Sequence, residues 1–546
     1  MNEKALKLIH LNLVQKNPIL DLGNCGLRDE DVVEGSRLDE LLRKCTHLKV
    51  LIFSNDWVKW DRTKGDWGFF SSENRGGVNI FTQPPPAIST LANLTELFCS
   101  GSEGQKWQIS SLAFVKGLVN LQYLDVGFNE IPQIEALEQL TKLEHLFISR
   151  NQLQKLAGLE NLTSLKVLDL TDNQLTDLQG LDNLGELECL DVAENQLTEL
   201  NGLEKLQSLK FLFAYKNQLQ SIKGLFSVKN LLFLDVNNNQ LQSLEGVGNN
   251  TKLGYLQADN NQLQSLKGLE NNTNLTFLYV AKNQLSSLEG IENLVSLKIF
   301  QADMNKIQVL TGFERLTNLE ILRLWVNQIQ EIQGLENLSS LTYLDLSKNQ
   351  IAEIKGLEKL SNLSTLKMGN NQLTKIQGLG ELSKLRTLEL LGNQIKVLEN
   401  LEGLISLETL RIFRNQISQI DNMEDLPKLE SLGIEENQLT NLKGIGCLIN
   451  LKHLSASYNQ INDISEIKEL KYLNTLDISH NQVRSIRPLL YFITRKFKPF
   501  RIGWKETSKT SFYYAEQNLT GNPIEEPPIE VIQEGNEAIL AWFAEN

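Results

Sequence analysis

Six aspartates, Asp125, Asp169, Asp191, Asp235, Asp345 and Asp477, stand apart from one another by multiples of 22 residues. Carboxylates repeated at one strand position and stacked about 5 Å apart could share protons or a cation. A solvated acidic face produces the same pattern without any ligand. The five histidines, His10, His47, His145, His453 and His480, form neither an HExxH pair nor a spaced Cys/His set, so no metal site is expected. Nucleophile elbows, GxxxxGK[ST] loops and Ser/His/Asp arrangements are missing as well. The expectation is therefore a protein without catalytic residues, metal or cofactor, whose chemistry is that of contact. Residues suited to contact recur at the same phases of the period: Phe211, Phe213 and Tyr215, then Phe233, Tyr255, Phe277 and Tyr279, then Arg323, Trp325 and Tyr343, and finally Arg411, Phe413 and Arg414. Trp, Tyr and Arg are the side chains that most often carry binding energy.

The elements that must position these residues follow from the pattern LxxLxLxxNxL, seen in LKVLDLTDNQL from Leu165 to Leu175. Its asparagine returns every 22 residues from Asn129 to Asn481, seventeen times without insertion or deletion. Leu165, Leu168 and Leu170 are predicted to point into a core, with Val167, Asp169 and Thr171 on the opposite face of a short strand. Asn173 is placed where the chain leaves the strand, its amide bonding the turn and the next repeat. Leu175, Leu178, Leu181 and Leu184 continue the core along the return leg, and Gly180 permits a sharp bend there. A return leg this short holds tight turns or one helical turn. Because parallel strands lie about 4.8 Å apart, aromatics on the outer face of successive strands form one row. That row reads either as a partner-binding patch or as a cross-strand ladder of packed rings.

A unit of this length and pattern resembles the 22-residue class of leucine-rich repeats, as in the bacterial internalins, over residues 121 to about 486. The resemblance implies an α/β solenoid: a curved array with a parallel β-sheet on its concave face, short turns or 3-10 segments on its convex face, and a cap at each end. The same scaffold carries many unrelated binding surfaces, so the role is read from the aromatic and arginine residues named above: a non-enzymatic scaffold that binds a protein or peptide with them on the concave face. The domains expected are 1–120, a helical cap with degenerate repeats; 121–483, the regular repeats; and 484–546, a basic amphipathic segment, a last degenerate repeat and a helical cap. The ending GNPIEEPPIEVIQEGNEAILAWF is similar to the segment closing the repeats of bacterial Roco-type proteins. It raises an alternative role as the regulatory module of a signalling protein, acting by self-association or through an effector domain. No GTPase motif accompanies it.

Several features bound these readings. The chain carries 67 acidic and 53 basic residues in 546, a net charge of −14, which argues against general binding to nucleic acid. Five cysteines, odd in number and widely spaced, read as reduced thiols of a cytoplasmic protein. The first residues lack the apolar stretch of a signal peptide, and no apolar run is long enough to span a membrane. Residues 2–15 read as an amphipathic helix covering one open end. From Asn55 to Ser89 the period breaks into an insertion rich in aromatics, among them Trp57, Trp60, Trp67, Phe69, Phe70 and Phe81. It reads as a packed loop over the edge of the sheet or as a loop that touches a partner, and an enzyme would have to use it. Residues 484–509 hold eight cations against Glu506 alone, either a solvated helix face or a surface for an acidic partner. The oligomeric state is open.

Overall fold

The computed structural model describes residues 2–61, 63–420, 423–494, 501–503 and 516–546, with the backbone alone at 501–503 and 516–517. Five of the eight cations of the basic stretch at 484–509, Arg495, Lys496, Lys498, Lys505 and Lys509, thus lie outside the described residues. The chain forms two compact units, Met1–Asn283 and Gln284–Asn546.

In the first unit, helix α1 (Glu3–Gln15) begins at Asn2, whose side chain accepts the Ala5 N–H, and buries Ala5, Leu6 and Ile9. Parallel strands follow: β1 (Ile19–Asp21) and β2 (Val50–Ile52), then, beyond an insertion, β5 (Glu96–Phe98), β6 (Tyr123–Asp125), β7 (His145–Phe147), β8 (Val167–Asp169), β9 (Cys189–Asp191), β10 (Phe211–Phe213), β11 (Phe233–Asp235), β12 (Tyr255–Gln257) and β13 (Phe277–Tyr279). From β6 onward each strand pairs with the next at a shift of 22 residues, as in Val167 with Cys189 and Phe211 with Phe233. The central leucine of each strand and the four inward positions of each return leg are buried, Leu168, Leu175, Leu178, Leu181 and Leu184 in the reference coil. Coils three to four residues wide at the strand cannot enclose a core alone, so each is completed by its neighbours. Gly180 sits at φ +109°, and a Cβ there would approach the Leu156 carbonyl oxygen of the preceding coil to 2.8 Å.

The repeated asparagine ties each coil to the one before it. Asn173 donates to the carbonyls of Leu170 in its own turn and Ile148 in the preceding coil, while its Oδ1 accepts the Leu153 N–H. The bonds therefore run backward rather than to the next repeat as expected. An N–H of repeat n needs an acceptor, and only the asparagine of repeat n+1 reaches it. Residue Asp172, before Asn173, has φ +52°, and the ladder holds that left-handed backbone in place. Two coils depart from the core pattern: Asn250 and Asn272 are fully buried where other repeats carry Leu or Val, and their Oδ1 atoms find no partner.

The insertion forms an antiparallel hairpin, β3 (Asp56–Asp61) and β4 (Asp66–Ser71), with Trp60 opposite Trp67. It leaves the array just after Asn55, and the array resumes at Asn79, which takes the ladder place of its repeat. Asn79 accepts the Leu27 N–H and donates to the carbonyls of Leu22 and Phe53.

The second unit repeats the same register, from Ile299 paired with Ile321 to His453 paired with Thr475. Asn522 closes the ladder, accepting the Val483 N–H. Helices Ile529–Glu534 and Asn536–Glu545 end the chain, and the Arg487 guanidinium lies over the Phe543 ring. All five cysteines are unpaired, and all but Cys447 are buried.

Candidate interaction face

The outer side chains of each strand fall six and four residues before the ladder asparagine, because a strand alternates its faces and the central leucine faces the core. In the first unit this face divides into a covered part and an open part. The hairpin lies across strands β2 to β10 rather than at the sheet edge, since its aromatic side chains find their apolar area only on the strand face. Trp57 packs on Phe98, Trp67 on Phe147, and Trp60 on Phe211 and Phe213 at ring distances of 5.1 and 6.0 Å. The Tyr123 hydroxyl donates to the Val58 carbonyl. Lys59 reaches Glu96 at 2.7 Å while its ammonium lies 5.2 Å from the centre of the Phe98 ring and 5.3 Å from that of Tyr123. Phe98, Tyr123 and Phe147, at the outer phases of their coils, are contact residues outside the set expected from sequence. For Tyr123 and Phe147 the spacing from Asn129 and Asn151 carries that information in the sequence.

Beneath this cover the aspartates are not solvated. Asp125 accepts the Gly127 N–H at 3.1 Å and the Ser100 hydroxyl at 3.1 Å, and burial pushes its carboxyl up to about 7. Burial also raises Asp169 and Asp191, and their mutual repulsion adds to the shift of Asp191. Among the described residues no cluster of His, Cys, Asp or Glu suits a metal ion.

Past the hairpin turn, where Gly65 meets the Phe211 ring, the face is open. Phe213 leads to Phe233 at 4.9 Å, Phe233 stacks on Tyr255 at 4.6 Å, and Tyr255 touches Phe277 at 5.7 Å and Tyr279 at 5.4 Å. All five rings are half-buried. Burial pushes the Tyr215 hydroxyl upward, and the charges of Asp191, Glu194 and Asp235 add to it. Asp235 and Asp259 are each raised to about 6, burial being the main cause. One flank of this stretch also changes character. The residue just before each strand forms ion pairs along β7 to β10, Lys166 with Glu144 and Lys210 with Glu188, but becomes Leu232, Gly254 and Thr276 beside β11 to β13.

In the second unit, Arg323 lies over the Tyr343 ring at 5.2 Å and Lys348 over Trp325 at 4.9 Å. Arg411 pairs with Glu389, which also takes Lys367, and Arg414 pairs with Glu436. Phe413 is half-buried. Phe211, Phe213, Phe233, Tyr255, Phe277, Tyr279, Arg323, Tyr343 and Arg411 thus lie in strands, with Phe211 and Phe213 engaged by the hairpin, while Tyr215, Trp325, Phe413 and Arg414 lie just beyond their strands in the turns.

A family model described as leucine-rich repeats in two copies matches residues 141–183, 317–359, 339–381 and 449–491. No curated protein matches the chain. Among solved structures, the functional domain of InlJ from Listeria monocytogenes is 26% identical, covering 64% of this chain and 76% of that one, with a TM-score of 0.53. YopM from Yersinia enterocolitica is 24% identical over 88% of this chain and 91% of its own, with a TM-score of 0.58. The Arabidopsis receptor kinase HAESA, solved with the peptide hormone IDA and the co-receptor SERK1, is 20% identical over 86% and 83%, with a TM-score of 0.54. The coils are leucine-rich repeats, and the fold is that of protein-interaction scaffolds. Among the described residues no helix is long and apolar enough to cross a membrane.

Proposed function

We propose that this leucine-rich repeat array is a non-enzymatic scaffold that binds a protein or peptide on its strand face, in the cytoplasm, where its five unpaired thiols are at home. The observation that carries the reading is the row Phe233, Tyr255, Phe277 and Tyr279, which the chain's own hairpin stops short of covering. Half-buried rings on a rigid backbone lose little entropy when a partner closes over them. Arg323, Trp325, Tyr343, Arg411, Phe413 and Arg414 form the corresponding surface of the second unit.

The test is affinity capture from source cells with wild type and with a variant carrying Tyr255→Ala, Tyr279→Ala and Trp325→Ala, both shown to be folded by circular dichroism. A partner retained by wild type and lost by the variant is the expected result, since buried aromatic anchors contribute about 2 kcal/mol or more each. The same partners on both proteins overturn the reading. A second reading, a Roco-like regulatory module, draws on the closing segment and its paired helices Ile529–Glu534 and Asn536–Glu545. It predicts partners that survive these three substitutions but are lost on substituting Trp542.

A further inference from the structure

Every part of the strand face in the first unit that carries aromatic rings is covered by an extended segment as far as β10, and β11 to β13 continue the same surface uncovered. The covering segment shows how this face recognises a chain. Lys59, on a strand laid across the sheet, holds its ammonium against Phe98 and Tyr123 and within 2.7 Å of the Glu96 carboxylate. A cation between aromatic faces and a carboxylate gains from both, because the ring quadrupole and the anion attract it in a partly desolvated place.

The open stretch offers the same set of groups without the cation. Phe233 and Tyr255 stack at 4.6 Å, Tyr279 adds a third ring at 5.4 Å from Tyr255, and Asp235 and Asp259 stand on the neighbouring outer positions. Asp235 accepts the Asn237 N–H at 2.9 Å and Asp259 the Ala281 N–H at 2.6 Å. Among the described residues neither carboxylate has an ion-pair partner. Lys282 bears on Asp259 only at a distance. The charged flank is interrupted here too: Leu232 is 41% exposed, Gly254 and Thr276 carry no charge, and the neighbouring Lys210 and Lys252 are engaged by Glu188 and Asn230. Apolar shelf, aromatic row and carboxylates without an ion-pair partner among the described residues, Asp259 also taking a hydrogen bond from Gln257, are the complement of a basic side chain with an apolar neighbour.

Resting on the strand-face reading above, we propose that β11 to β13 bind an extended segment of a partner protein through an arginine or lysine seated against Phe233, Tyr255 and Tyr279 and paired with Asp235 or Asp259, an adjacent apolar residue lying on Leu232. The partner is thus a basic-apolar peptide motif, and Lys59 of the hairpin is its internal counterpart.

The test is selection of a displayed library of short random peptides on the full chain. Wild type is expected to enrich an arginine or lysine next to an aromatic or aliphatic residue. A variant with Asp235→Asn and Asp259→Asn, which keeps side-chain shape, should lose the basic preference by about tenfold while keeping the apolar one. A second variant, Tyr255→Ala with Phe277→Ala, should lose both, and circular dichroism checks the fold of each. A basic preference that survives in the Asn variant overturns the inference. Enrichment of apolar peptides alone, lost in the aromatic variant, also overturns it while leaving strand-face binding intact. Identical enrichment by wild type and aromatic variant, or none by wild type, overturns both at these repeats.

Discussion

Asp125 shows how a consensus residue changes its meaning with its surroundings. From sequence it is one of a row of exposed acids; in the folded chain it is buried under the hairpin and its carboxyl is raised to about 7, against about 3.9 unfolded. Between those values the folded chain holds a proton that the unfolded chain has released, so this residue's contribution to stability falls as pH rises through the window and is lost above it. Chemical denaturation near pH 5 and near pH 8 should find Asp125→Asn less sensitive to pH than wild type, and more stable at the alkaline end by about 1–3 kcal/mol. An unchanged profile would mean that the carboxyl reaches water. Asn250 and Asn272 make a second case at this scale. Each buries an Oδ1 without a partner, which costs about 1–3 kcal/mol unless compensated, so replacing both with the consensus leucine should raise the denaturation midpoint. A lower midpoint would show that their Nδ2 donations to Val247 and Leu225 outweigh the orphaned acceptors.

At the scale of elements, the period made the strands, the buried leucines and the asparagine ladder legible, because local spacing dictates them. Gly180 is part of that legible set, and Gly180→Ala should cost about 1–3 kcal/mol in thermal or chemical unfolding from its φ and from the Leu156 carbonyl 2.8 Å away. The hairpin was less legible. Its aromatic alternation around the Asp61 to Asp66 turn is a strand pattern, and Asn79-Ile80-Phe81 re-enters the repeat after it, both visible in principle. Which face it covers depends on contacts with Phe147, Phe211 and Phe213, more than 75 residues further along the chain, and no local spacing encodes that. Trp60→Ala should cost about 3–5 kcal/mol and expose Trp67, read as a red shift of tryptophan emission before global unfolding. Unaltered emission and stability would mean that the hairpin is held by its backbone alone.

For the molecule as a whole, 67 acidic residues against 53 basic ones give a field that attracts cationic partners over a distance set by salt. Surface ion pairs between coils, such as Lys166 with Glu144 at 2.7 Å, each contribute little to stability; their effect is to leave few lysines uncommitted beside the aromatic row. The scaffold could be read from composition and period, whereas the division of its face into a part that the chain covers itself and a part left open could not. The proposed function requires that the open part receive a partner. It is tested most directly by placing a benzophenone photocrosslinker at Tyr255, and separately at exposed Lys267 on the return side of the same coil, then irradiating source cells. A discrete adduct from position 255 and none from position 267 is the predicted result. Adducts from 267 alone, or the same adducts from both, would mean that the open strand face receives no partner of its own.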